Sequence, residues 1–168
     1  MSLNPKLKTR LRAAVKHFWA TRETQAQKQG AVSGAKDAGA RPAVTGGAQM
    51  NGFVNLVRDL LYDTGLPKPH VYCDRAVEIP GWYRPEKKWD LLIVADSRFL
   101  AGIEFKSQVG SFGNNYNNRT EESIGSAVDW AAYREGAFEP SARPWLGYLM
   151  LLEEAAGSIA PVTMRLAS

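Results

Sequence analysis

The chain has 168 residues, 45% of them hydrophobic and 23% charged, which suits one globular domain with a sizeable core. A single cysteine, Cys73, excludes an internal disulfide framework and a Cys-rich zinc site and fits a cytoplasmic chain. The longest apolar runs, residues 91–95 and 148–152, are too short to cross a bilayer, and the basic N-terminus lacks the apolar core of a signal peptide, so no membrane partner is expected.

The net charge of +4 is unevenly placed: residues 1–30 carry seven Lys/Arg and one acid, leaving a small acidic excess for the rest. Within 1–29, Leu7, Leu11, Ala14, Val15 and Phe18 share one helical face, while Lys6, Lys8, Arg10, Arg12 and Lys16 fall mostly elsewhere. This spacing predicts a basic amphipathic helix. Its cations, Lys8 and Arg12 among them, suit phosphate contacts, although a solvated face or a membrane-surface helix would show the same pattern. Residues 30–49 hold five Gly and six Ala and no aromatic, Leu or Ile, so they read as a flexible connector, or as an arm that orders on DNA. Residues 50–168 would form the core. There, Phe53, Leu56, Val57, Leu60 and Leu61 predict a helix ending near Gly65, and residues 71–79 read as a strand leading to the Pro80-Gly81 turn. Asp59 on that helix is more simply a solvated charge than a metal ligand. His17 and His70 stand alone, without metal-ligand spacing.

Two short apolar strands follow, Trp89-Asp90-Leu91-Leu92-Ile93-Val94 and Phe99-Leu100-Ala101-Gly102-Ile103-Glu104-Phe105-Lys106, joined by a turn at Ala95-Asp96-Ser97-Arg98. Side chains alternate faces along a strand, so Glu104 and Lys106 project together. If the strands pair, Asp90 joins them. Two carboxylates and an ammonium set in apolar strands are costly unless paired, and a divalent cation would pair them. A magnesium-dependent phosphodiesterase centre has this pattern, but a solvated Glu-x-Lys ion pair on an edge strand has it too.

Residues 108–119 are polar, Gly-punctuated and rich in Asn, which predicts a loop beside that strand. Asn114, Asn115, Asn117 and Arg119 have side chains that can bond base edges or phosphates. Asn118 and Glu121 have capping-box spacing for a helix running to about Arg134, with Ile124, Ala127, Val128 and Ala131 as its apolar face. Residues 145–152 supply a last strand.

Several literal strings resemble the XhoI-type family of type II restriction endonucleases. They are Arg84-Pro85-Glu86-Lys87-Lys88-Trp89-Asp90-Leu91-Leu92, Ile103-Glu104-Phe105-Lys106-Ser107-Gln108-Val109-Gly110 and the run 111–122. Tyr133-Arg134-Glu135-Gly136-Ala137-Phe138 and Pro144-Trp145-Leu146-Gly147-Tyr148-Leu149 look similar too. The resemblance implies an α/β fold of the PD-(D/E)xK restriction-endonuclease type, a mixed β-sheet flanked by helices in α-β-β-α-β order. It further implies Mg²⁺-dependent cleavage of double-stranded DNA at CTCGAG with 5′ overhangs, by a homodimer in the bacterial cytoplasm, with no nucleotide cofactor. Asp90, Glu104 and Lys106 would be catalytic. Asp90, Glu104 and the Phe105 backbone carbonyl would hold the metal. Trp89 stands where the superfamily motif often has Pro. The chain also looks shorter than full-length members, which leaves open a truncated, non-cleaving DNA-binding relic. A structure-directed repair nuclease on the same fold is a further alternative.

Overall fold

Helix formation begins where the sequence supplies both a cap and a pre-set backbone. The Asn4 side chain accepts the Lys6 N–H at 2.9 Å, and Pro5 occupies the first helical position, where its missing N–H costs nothing. Helix α1 then runs Pro5–Ser33, past the start of the Gly/Ala-rich stretch. The computed structural model describes residues 4–33, 47–74, 77–81, 83–129 and 144–161, with the side chains of 28–33 and 113–115 outside that description. The core of the proposed connector, 34–46, therefore lies outside the described residues.

Two compact units divide the chain, residues 1–76 and 77–168. In the first, α1 packs on α2, Asn51–Asp63, which follows a 3-10 turn at Ala48–Met50. Ala14 and Phe18 from α1 and Met50, Phe53, Val54 and Leu56 are buried, in keeping with the expected apolar stripes. A side chain at Gly52 would stand 3.0 Å from His17 and 3.2 Å from the Ala14 backbone, so glycine permits the close helix crossing. Helix α2 ends as Gly65 turns to φ +91 and donates its N–H to the Tyr62 carbonyl. A 3-10 turn, Lys68–His70, leads into strand β1, Val71–Cys73.

The second unit carries the remaining strands. Strands β2, Glu78–Ile79, and β3, Lys87–Lys88, form a small antiparallel pair with Ile79 opposite Lys87. Strands β4, Leu91–Ala95, and β5, Arg98–Gln108, form an antiparallel hairpin with a bulge between Ile93 and Val94. Asp96 and Ser97 have φ of +50 and +58, the left-handed pair that a two-residue turn needs to match the strand twist. Helix α3, Phe112–Asp129, then leads toward β6, Trp145–Leu152, which lies parallel to β5 with Glu104 opposite Tyr148. A short helix α4, Ala156–Ile159, follows. The sheet is mixed and helices accompany it, as the α/β expectation required. No helix among the described residues is long and apolar enough to cross a membrane.

Two expectations about α3 are corrected. The Asn-rich stretch is helix, not loop: only Val109, Gly110 and Ser111 separate β5 from Phe112. Positive φ at Gly110 and Ser111 turns the chain sharply there. Gly110 N–H bonds the Glu153 carboxylate at 3.0 Å, and the Gln108 amide bonds the Phe112 carbonyl at 3.1 Å, so the turn is tied at both ends. Asn118 therefore lies inside the helix and is not its cap. The buried face is also different. Ser126 and Asp129 are inside, Asp129 ion-paired with Arg84, while Ile124 and Val128 are 60% and 37% exposed. Periodicity found a common face, but the face carrying Ser126 and Asp129 is the one turned inward. Ala131 and the expected end at Arg134 lie outside the described residues.

Candidate functional site

Pairing of β4 with β5 sets Leu91 opposite Ile103, so continuing the register by one residue puts Asp90 opposite Glu104. The placement is fixed by a backbone bond: the Phe105 N–H donates to Asp90 Oδ2 at 2.7 Å. Glu104 and Lys106 share one face of β5, as strand alternation demands. Their side chains meet, with Lys106 Nζ 3.1 Å from Glu104 Oε2. The three residues singled out from the sequence thus converge at the end of the hairpin.

The site also contains Lys87, which sequence reasoning left aside. Its Nζ lies 2.6 Å from Glu104 Oε1 and 4.3 Å from the centre of the Trp89 ring. Glu104 is therefore held between two ammonium groups, one on each carboxylate oxygen. Lys87-Lys88 reads as an exposed charge pair in sequence. The available signal was parity: Lys87 and Trp89 lie two apart in extended chain, so a buried Trp89 implies that Lys87 points inward as well.

Electrostatics distinguish the members. Burial raises the Asp90 carboxyl above its ordinary range; the Phe105 N–H opposes this, and the neighbouring Glu104 charge adds to it. For Lys106, burial pulls the ammonium down, but the Glu104 charge and hydrogen bond outweigh it, helped by Asp90 and Glu122, and the group is held above the usual lysine value. Tyr148, opposite Glu104 on β6, donates its hydroxyl to the Arg119 carbonyl at 3.3 Å. Its phenol is raised by burial and then by the Glu122 charge.

Two hard carboxylates suit a divalent cation that prefers oxygen donors. No group of three or more His, Cys, Asp or Glu fit for a metal occurs among the described residues. Two carboxylates without a third suit a divalent cation that keeps several waters and takes further oxygen ligands from outside the protein.

Of the residues expected to contact DNA, Asn117 is exposed on the second turn of α3, and Arg119 is half-buried with Nη1 on the Glu122 carboxylate. The side chains of Asn114 and Asn115 lie outside the described residues. Lys8 and Arg12 are exposed on α1, in the other unit. Asp59 pairs with Arg58 in that same unit, consistent with its reading as an ordinary helix charge.

Comparison with known proteins identifies the chain's relatives. The family model described as restriction endonuclease XhoI matches residues 28–167. The chain is 51% identical over 147 residues to the type II restriction enzyme AbrI of Azospirillum brasilense, covering 86% of this chain and 65% of that protein. It is 51% identical over 134 residues to BstVI of Geobacillus stearothermophilus, covering 76% and 60%. It is 39% identical over 148 residues to XhoI of Xanthomonas vasicola, covering 85% and 58%. The chain therefore spans about three-fifths of the length of these relatives. No solved structure gives a significant match. With most of its length matched by the family model and by three such relatives, the chain belongs to the XhoI restriction endonuclease family.

Proposed function

We propose that this protein is a type II restriction endonuclease of the PD-(D/E)xK kind, hydrolysing double-stranded DNA at CTCGAG to leave 5′ overhangs. The observation that carries the reading is the convergence of Asp90, Glu104 and Lys106 at one end of the β4–β5 hairpin. Asp90 and Glu104, with the Phe105 backbone carbonyl, would hold Mg²⁺. When bound, the cation supplies Lewis-acid stabilisation of charge on the phosphoryl oxygens and lowers the pKa of water.

The chain's own residues have separate tasks. Asp90 is held in its orientation by the Phe105 N–H, which donates to its carboxylate. Lys106 stays cationic, which suits it to orient the attacking water and to stabilise negative charge as the phosphorus is attacked. Base and phosphate contacts would come from the first turns of α3, which follows the Lys106 strand after three residues and presents Asn117, with Asn114, Asn115 and Arg119 nearby in sequence. Lys8 and Arg12 would add phosphate contacts from α1. A homodimer would present two such sites to the two strands of a palindrome.

Digestion of a plasmid carrying one CTCGAG site, followed by sequencing of the ends, tests the proposal. Mg²⁺-dependent linearisation at that site is expected. Scattered cutting removes the specificity claim, and cutting confined to flaps or mismatches points to a structure-directed nuclease. A folded protein that binds the duplex without cutting it is a binding relic.

A further inference from the structure

The Glu104 carboxylate has no free oxygen. Lys87 holds Oε1 at 2.6 Å and Lys106 holds Oε2 at 3.1 Å. The two lysines are not equivalent. Lys106 is 30% exposed and can swing toward water, whereas the Lys87 side chain is only 8% exposed and its ammonium sits over the buried Trp89 ring. A buried ammonium has no solvated position to retreat to, so its attraction to Glu104 is screened little. Together Lys87, Asp90, Glu104 and Lys106 sum to zero charge when all are ionised. A pair of carboxylates that would otherwise attract a divalent cation strongly is thus already neutralised from within.

We propose that Lys87 tunes the cation affinity of this centre: it neutralises Glu104 so that a divalent cation binds weakly to the free protein and firmly only when a DNA phosphate supplies further negative charge. Lys87 is a positioning residue acting through Glu104, and the proposal rests on the reading of Asp90 and Glu104 as the cation site. A cation arriving alone must share a carboxylate oxygen with an ammonium or displace it, and in either case accept a like charge beside it. Arriving with a phosphodiester, it gains an anionic ligand that offsets both costs. Loading of the metal is thereby tied to the presence of DNA.

Calorimetric titration of the full chain with Ca²⁺, with and without a CTCGAG duplex, tests this without any cleavage step. The variant Lys87→Met keeps the length and apolar stem of the side chain and removes its charge. Without DNA it is expected to bind Ca²⁺ at least about tenfold more tightly than the wild type, and to gain less from adding the duplex. Lys87→Arg keeps the charge and is expected to stay near the wild-type affinity. Equal or weaker Ca²⁺ binding by Lys87→Met overturns the proposal. If that variant folds poorly, Lys87→Gln and the Ca²⁺-induced rise in melting temperature replace it, with a larger rise than in wild type expected. Failure of both variants to fold even with Ca²⁺ makes Lys87 purely structural and also overturns it. Asp90→Asn separates the two levels: Ca²⁺ binding that survives in this variant refutes the cation site itself, whereas its loss alongside an unchanged Lys87→Met refutes only the tuning.

Discussion

The two compact units bury different chemistry. In residues 1–76 the described interior is apolar, formed by Ala14, Phe18, Met50, Phe53, Val54, Leu56 and Val71, with Gln49 as its polar exception. In residues 77–168 the interior includes Lys87, Glu104, Ser107, Gln108, Ser126 and Asp129. Apolar burial is favourable wherever it occurs, but a buried charge is tolerated only with partners. The first unit therefore follows from hydrophobic pattern alone. The second gives up some of that simplicity to hold a cluster of ionised groups.

Substitutions can break this contrast, beginning with the largest effect. Asp90→Asn and Glu104→Gln should each reduce DNA cleavage by about three orders of magnitude or more while leaving duplex binding intact, as measured by plasmid digestion and by binding titration in Ca²⁺. Near-normal turnover in either variant would mean that the second unit's buried charges are not catalytic. Phe18→Ala should do the reverse. It should lower stability by about 3–5 kcal/mol in denaturant unfolding, with the cleavage rate per folded molecule preserved.

Smaller effects sharpen the same division. Asp129→Asn keeps the shape of the side chain but weakens its pairing with Arg84, which is half exposed and can return to water. A loss of about 1–2 kcal/mol is expected by chemical denaturation, without a change in cation dependence. The two aspartates, Asp63 and Asp90, give opposite responses to pH. Asp63, exposed in the first unit, is lowered below 3.8, chiefly by the Arg10 hydrogen bond. Its small contribution is thus present at neutral pH and is lost as pH falls through its folded value. Asp90 is raised by burial, so its contribution is present below about 3.8 and is lost as pH rises through its folded value. Asp90→Asn should accordingly raise the melting temperature of cation-free protein at neutral pH, with the gain disappearing in acid. Asp63→Asn should give only a slight decrease at neutral pH. Thermal melts across pH check both signs, and a gain for Asp90→Asn that persisted in acid would contradict burial as its cause.

Much of this architecture is legible from residue order, and the illegible parts share a cause. Alternation placed Glu104 and Lys106 on one face, and the apolar runs on both sides of Asp96-Ser97 marked the β4–β5 hairpin that brings Asp90 to them. The spacing of Phe53, Leu56, Val57, Leu60 and Leu61 marked α2. The Asn-rich start of α3 was hidden because asparagine competes with the helical backbone for hydrogen bonds and reads as loop. Its register was settled instead by the tied turn at Gly110 and Ser111. Ile124 and Val128 lie outward because Asp129 is drawn inward to Arg84, a partner 45 positions away. Lys87 was equally unreadable, since its charge acquires meaning only through Glu104, 17 positions along the chain. Local rules recover elements and faces, whereas distant ionic partners decide which face turns inward.

The short reach of the β4–β5 hairpin has a kinetic consequence. Phe105 and Asp90, which share the backbone-to-carboxylate bond, are only 15 positions apart. Closing a loop of that size requires little chain entropy and is fast compared with the folding of a whole domain. The acidic pair is thus expected to assemble while much of the chain is still unfolded, before α3 and β6 have docked. Nascent protein would then carry its most unfavourable charges already matched, and later folding would close apolar surface over a preassembled polar cluster.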